Sequence, residues 1–445
     1  MPSSTGSPPT EPAREVRYAP SGSPTAYPKQ WHTSSPEGEP QRRPGQPPPR
    51  LDRLMTTPAA PVSAAPPEGV SAWVTIDLAA IADNVRELDR RSPGAEVMAV
   101  VKANGYGHGL VPSARAAVAG GATWLAVAQF NEALDLRAAG VTTPLLTWLY
   151  APGVDFGAAI DADIDISVSA PWALDAVVAA ARARGRAARI HVKVDTGLGR
   201  NGALGQGWTD LIAALGPVVA EGAVEVIGVW SHFARADAPQ DPTVLGQRDR
   251  FVEAAEELER AGIRPQLRHL ANSAATLTNP NAHFDLVRPG LAVYGLSPVP
   301  DLGSPQDFGL REAMRVTARL ALVKEASTGQ GVSYGHIYTT PEDTVLGLVP
   351  IGYADGIPRH AGNVGPVKVG DRRLTVAGRV CMDQFVLDLG AGYAGGAGDE
   401  VVILGRGVDD EPTAQDWATA IDTINYEIVT RMSDRLPRVF IGGDV

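Results

Sequence analysis

From residue 72 to about residue 293 the chain alternates short β-branched, apolar runs with alanine-rich stretches of helical length. Strands are expected at Ala72 to Ile76, Val97 to Val101, Thr123 to Val127, Leu145 to Leu149, Ile164 to Val168, Arg189 to Val194, Val226 to Trp230, Gln266 to Leu270 and Leu286 to Val293. Helices are expected after Asp77, which suits an N-cap, near Val111 and Asn131, and over Pro171 to Arg184 and Arg248 to Ala261. About eight strand–helix units over roughly 230 residues have the count and spacing of a closed (β/α)8 barrel. An open doubly wound sheet demands G-x-G-x-x-G after its first strand. Gly105-Tyr106-Gly107-His108-Gly109 has the wrong spacing for that.

Beyond about Gly309 the texture changes. Val316 to Glu325, Asp343 to Val349, Pro366 to Val369, Leu374 to Val376, Phe385 to Leu389 and Glu400 to Leu404 read as short strands between Gly, Asp and Pro turns. One late helix from about Thr413 to Asn425 and a last strand at Arg438 to Phe440 complete a mainly β domain. Before residue 71 the chain holds 17 of its 37 prolines and few large apolar side chains. Such a segment cannot offset the entropy of folding. The expected organisation is therefore α/β: a disordered tail over 1–70, a TIM-type barrel over 71–310 and a β domain over 311–445. The tail is either a true extension or sequence upstream of a start near Met55.

Composition narrows the function classes. A formal net charge of −11, with no lysine- or arginine-rich stripe, argues against nucleic acid as a partner. No apolar run of membrane-spanning length occurs. A single cysteine, Cys381, excludes an intrachain disulfide or a multi-cysteine metal site and suits a reducing, cytoplasmic compartment. Positive charge is almost all arginine, with only five lysines. A lysine that ends a buried strand is either a snorkelling side chain beside an ordinary turn or one kept for its removable proton, and the scarcity of lysine here favours the second.

Lys102 is that lysine. It follows Met98-Ala99-Val100-Val101 and opens onto Gly105, Gly107 and Gly109. Active groups of a barrel sit at the carboxyl ends of its strands. Those positions supply Lys102 and Tyr106, then Lys193 to Arg200, Ser231-His232, His269 to Ser273, and Arg288 to Leu291. Each has a plain alternative, His232 as a satisfied semi-buried histidine and Arg288 as a partner of Asp285. Together they mark an active site whose late glycine-bearing loops suit a phosphate group. A metal centre is not expected: no H-E-x-x-H occurs, His191, His232 and His269 come from different elements, and the surroundings are cationic.

The stretch Ala99-Val100-Val101-Lys102-Ala103-Asn104-Gly105-Tyr106-Gly107-His108-Gly109 resembles the pyridoxal-phosphate attachment motif of the alanine racemase family. The resemblance continues through Lys193 to Arg200, Ser231 to Ala234, Ala271 to Ala274, Val287 to Gly290, Gly331 to Gly335, Gly352 to Gly356, Cys381 to Asp383 and Asn425 to Glu427. It spans about residues 71 to 442 in family order. It implies Lys102 as the covalent attachment point of pyridoxal phosphate, with Tyr106, Ser273, Tyr426 and the N–H groups of Gly290 and Leu291 on the phosphate. Asn272 belongs to the same loop and is counted with the cofactor contacts. Arg200 would meet the cofactor's phenolic oxygen and the substrate carboxylate, braced by Lys193, a position open to carbamylation. Arg288 would face the pyridine nitrogen, held by His269.

Racemisation takes a proton from one face and returns one on the other, so it needs two bases. The resemblance assigns Lys102 to one face and Tyr334, backed by His232, to the other. A tyrosine serves only if its pKa falls from about 10, which nearby cations promote. Arginine at the pyridine nitrogen gives it no proton, which weakens the electron sink and limits side reactions. The Met382 N–H would meet the substrate carboxylate, and Tyr353, Arg359, Asp237 and Arg379 would line the access channel.

The family implication is alanine racemisation supplying D-alanine for peptidoglycan, by a cytoplasmic homodimer whose β domains complete each other's sites. Serine is a second substrate that an apolar pocket rejects poorly. The nearest competing enzyme is a barrel-type pyridoxal-phosphate decarboxylase, which Arg288, Tyr353 and Tyr426 oppose. A cofactor-binding protein without catalysis would dispense with the second domain.

Overall fold

The structure, a computed structural model, describes residues 68–443. Residues 1–67, nearly all of the expected tail, lie outside the described residues. β1 (Ala72–Asp77) is followed by the helix Leu78–Arg91, whose first turn is capped by the Asp77 carboxylate accepting from the Ala80 N–H at 3.0 Å. Eight parallel strands then form the barrel: β2 (Glu96–Val100), β3 (Trp124–Gln129), β4 (Leu145–Leu149), β5 (Asp165–Val168), β6 (Ala188–Lys193), β7 (Val224–Trp230), β8 (Leu267–His269) and β9 (Leu286–Val287). β9 pairs with β2. The bonds Asp285 N–H to Arg268 O (3.1 Å) and Arg288 N–H to Ala271 O (2.9 Å) join it to the β8 side. The barrel strands are buried on both faces, which explains their near-continuous apolar runs.

Register fixes the level at which side chains meet. Lys193 pairs with Trp230, and Trp230 with His269, so the three stand side by side at the carboxyl ends of β6, β7 and β8. His191 lies two residues earlier on β6 and therefore one layer deeper on the same face.

The second sheet has nine strands. β10 (Met314–Arg319) runs antiparallel to β1, which also pairs in parallel with Arg438–Ile441. Thus β1 does not open the barrel, although the alternation made it look like the first unit. Its pairing partners lie far downstream, and local pattern carries no sign of them. The expected strand Val316 to Glu325 divides into β10 and Leu322–Ala326. Likewise the late helix divides into Ala414–Ala420 and Asn425–Thr430, with Asp422 at a left-handed φ of 54° between them. One continuous apolar core runs from barrel residues such as Leu125 and Val229 to sheet residues such as Val316 and Ile403. Among the described residues no helix is long and apolar enough to cross a membrane.

Candidate active site

Lys102 follows β2 directly, but the chain behind it is no ordinary glycine loop. Ala103, Asn104, Gly105 and Tyr106 have φ values of 54°, 53°, 63° and 52°, a left-handed turn that costs about 1–2 kcal/mol at each non-glycine residue. Surrounding bonds hold it. Glu132 accepts from the Ala103 N–H at 2.6 Å, and the Asn104 carbonyl oxygen of the side chain accepts from the Leu110 N–H at 2.8 Å. His108, fully buried, sets its Nδ1 3.0 Å from both the Gly105 and Tyr106 carbonyls, which makes Nδ1 the protonated nitrogen. The turn aims Lys102 inward, its Nζ 5.8 Å from the Trp148 ring and 6.0 Å from the Tyr106 ring.

That amine opens into a cavity of about 460 Å³ at the carboxyl end of the barrel. Among the described residues its wall holds four basic side chains, Lys102, Lys193, Arg200 and Arg288, and no carboxylate. Burial, reinforced by Arg200, lowers the Lys102 pKa. Burial, with Arg288 and Arg200 close by, brings Lys193 down to about 7. Lys193 lies 3.9 Å from the centre of the Trp230 ring. A cavity so charged favours an anion.

One end of the cavity forms a cup. Ser273 Oγ accepts from the Gly290 N–H at 2.8 Å and from the Ala292 N–H at 3.3 Å. The Tyr106 hydroxyl lies so close to Gly290 that a Cβ there would overlap it, so glycine is required. Tyr106 and Tyr426 rings stand 6.4 Å apart. Leu291 follows on the 3₁₀ turn Leu291–Tyr294, and Asn272 lines the wall while its side chain caps the Ala275 N–H. Hydroxyl and backbone N–H groups gathered this way suit a phosphate.

Across the cavity Arg288 is buried without a carboxylate partner among the described residues. Its guanidinium donates to Ser231 O (2.8 Å), Leu270 O (3.3 Å) and His269 Nδ1 (3.3 Å), with His232 Nδ1 at 3.4 Å and the Trp230 ring centre at 4.8 Å. Burial pushes it down to about 9, and it remains cationic at neutral pH. Burial and the cations Arg288 and Lys193 hold His232 well below its ordinary value, so it is neutral. His269 is shifted the same way, chiefly by burial.

Eleven of the sequence-derived residues thus line one cavity: Lys102, Tyr106, Lys193, Arg200, His232, Asn272, Ser273, Arg288, Gly290, Leu291 and, from the second half of the chain, Tyr426. His269 lies directly beneath. Tyr334, Met382 and Tyr353 do not line it. Tyr334 sits on the turn of a separate two-stranded ribbon, Gly331–Val332 with Tyr338–Thr339, and Met382 and Tyr353 on loops of the nine-stranded sheet; they are 71%, 54% and 40% exposed. Trp148, Trp230 and Thr430 also form the wall and were missed by reading for titratable groups. Trp230 ends β7 immediately before Ser231-His232, and strand-end position alone would have selected it. Nothing local marks Glu132 as the anchor of the left-handed turn.

Two family models match the chain in order: the alanine racemase N-terminal domain over residues 76–298 and its C-terminal domain over 313–440. The alanine racemase of Frankia casuarinae is 58% identical over 366 residues, covering 82% of this chain and 95% of that one. That of Streptomyces coelicolor is 56% identical over 371 residues, covering 82% and 95%. Among solved structures, alanine racemase from D-cycloserine-producing Streptomyces lavendulae superposes with a TM-score of 0.83 at 55% identity, over 84% of this chain and 97% of that one. Alanine racemase from Bacillus anthracis with bound L-Ala-P gives 0.78 at 36% identity, over 84% and 96%. Matched along both halves and at this identity, the chain belongs to the alanine racemase family.

Proposed function

We propose that this protein interconverts L- and D-alanine with pyridoxal phosphate, the D-alanine serving peptidoglycan synthesis. The observation that carries the reading is one cavity holding Lys102 at the end of β2, a hydroxyl and N–H cup, and a buried arginine bonded only to neutral acceptors. The donor set fits the cofactor: an amine for its carbonyl, the cup of Tyr106, Ser273, Gly290 and Leu291 for its phosphate, and no acid to repel it. When bound, pyridoxal phosphate withdraws electrons from the substrate Cα and makes its proton removable.

The chain's own residues do the rest. Lys102, its amine destabilised as a cation by burial and by Arg200, takes or returns the α-proton on one face. Arg200 orients the substrate carboxylate, and Lys193, about half neutral at pH 7, offers the amine form that carbon dioxide modifies. Arg288 would face the cofactor ring as a hydrogen-bond donor and would not give it a proton. His232, neutral and with its Nδ1 facing the Arg288 guanidinium, carries its proton on Nε2 and would donate to the second base, which favours that base's ionised form. We assign that base to Tyr334, with the Met382 N–H and Tyr353 beside it, reaching the cavity of a partner subunit in a C2 dimer. Their exposure within one chain, outside the Lys102 cavity, supports that arrangement. Residues 71–310 would then hold the cofactor and residues 311–445 complete the partner's site, with Tyr426 acting within its own chain.

Incubation with L-alanine in deuterated water tests this. Labelled D-alanine is expected from the wild type, none from Lys102→Ala, and at least a hundredfold less from Tyr334→Phe. Carbon dioxide release from another amino acid, with alanine untouched, would replace racemase by decarboxylase.

A further inference from the structure

Beneath the cavity a hydrogen-bonded chain crosses the barrel interior to its opposite face. Arg288 Nη1 lies 3.3 Å from His269 Nδ1, His269 Nε2 lies 2.8 Å from His191 Nδ1, and His191 Nε2 lies 3.1 Å from Asp165 Oδ2. Asp165 is paired in turn with Arg189 at 2.7 Å. His191, His269 and Asp165 are at most 1% exposed, whereas the Arg189 side chain is 39% exposed. Gly228 on β7 makes the histidine contact feasible. A Cβ there would overlap His191 Nδ1 and stand 2.9 Å from His269 Nε2.

The ends of this chain dictate every proton in it. A guanidinium only donates, so His269 Nδ1 faces it as a lone pair with the ring proton on Nε2, but at 3.3 Å this contact is too long to hold the tautomer by itself. That proton points at His191 Nδ1, which must therefore accept. His191 then carries its own proton on Nε2, directed at Asp165, and a carboxylate only accepts. Donor polarity runs one way, from Arg288 to Asp165, with both rings neutral. Burial raises the Asp165 pKa, but the bonds from His191 and Arg189 outweigh it and hold the carboxyl below its usual range, so the terminal acceptor stays ionised.

We propose that Asp165 and His191 are positioning residues for Arg288. By fixing His269 in its Nε2–H form they keep a lone pair aimed at the guanidinium and hold it as a full-time donor towards the cavity. This deepens, and for its catalytic consequence rests on, the reading of Arg288 as the partner of the cofactor ring. The proton arrangement stands on the geometry alone.

The test uses full-length protein with ¹⁵N-labelled histidine and two-bond ¹H–¹⁵N correlation spectra, which report ring tautomers directly. In the wild type His191 and His269 are expected each to carry one proton, on Nε2. A proton on Nδ1 of either ring, or both nitrogens protonated, overturns the proposal without any variant. Asp165→Ala should then scramble the His269 tautomer and lower kcat/KM for alanine racemisation about tenfold, the scale of lost outer-shell orientation. Asp165→Asn, whose side-chain oxygen still accepts from His191, should restore both. An unchanged His269 tautomer in Asp165→Ala would also overturn it. A wild type with the expected tautomers but no alanine turnover would sink the functional reading and leave the proton chain intact.

Discussion

Lys193 shows how one residue's surroundings set its chemistry. In an unfolded chain its amine titrates near about 10.4; in the fold, burial beside Arg288 and Arg200 brings it to about 7. Between those values the unfolded chain holds a proton that the folded chain lacks, so stability rises with pH through that window. Below pH 7 the full cost of a buried cation applies. Lys193→Met should therefore raise the Tm of the cofactor-free protein in carbonate-free buffer. The gain should be on the order of 3 kcal/mol at pH 6 and fade as pH nears 10. Thermal melts across that range decide it, since a gain independent of pH would point to packing alone. Gly290→Ala is a second residue-level prediction. Its Cβ would push the Tyr106 hydroxyl out of the cup, and pyridoxal phosphate affinity, followed by absorbance titration, should fall at least tenfold.

At the scale of an element, the segment from Ala103 to Tyr106 is the informative failure of local reading. Alternation and β-branching made β2 legible, and the glycines announced a turn. Its left-handed course depends on bonds from Glu132 and from His108. Those partners compensate strain that the segment's own sequence disfavours at three of its four residues. Glu132→Ala removes the anchor at the Ala103 N–H together with its bonds to Ala128 and Gln129. The expected loss is about 2–3 kcal/mol in denaturant unfolding, with weaker cofactor retention because Lys102 and Tyr106 no longer share one orientation. A variant as stable as the wild type, with cofactor fully bound, would show that the turn needs no such anchor.

For the whole molecule the decisive question is how the exposed Tyr334 meets Lys102. If each site draws Lys102 from one subunit and Tyr334 from its partner, mixing Lys102→Ala with Tyr334→Phe under subunit exchange regenerates one intact site per mixed dimer. Activity should then recover to about a quarter of wild type. Two variants that stay inactive after demonstrated exchange would place both bases in one chain.

The same division runs through the molecule. Sequence by itself determined the barrel and the mainly β half, because strand–helix alternation and turn chemistry are local patterns. It also determined which residues end the barrel strands, since Lys102, Lys193, His232, His269 and Arg288 follow from strand position. Tertiary structure alone decided that β1 joins the second sheet, through pairing with β10 and Arg438–Ile441. It alone brought the tryptophans 148 and 230 to the cavity wall. It also linked Arg288 through two histidines to Asp165, residues 123 positions apart in the chain at its ends (288 − 165). Hydrogen-bond partners so far apart leave no periodicity to read; only closure of the barrel sets them within 3 Å or so of one another.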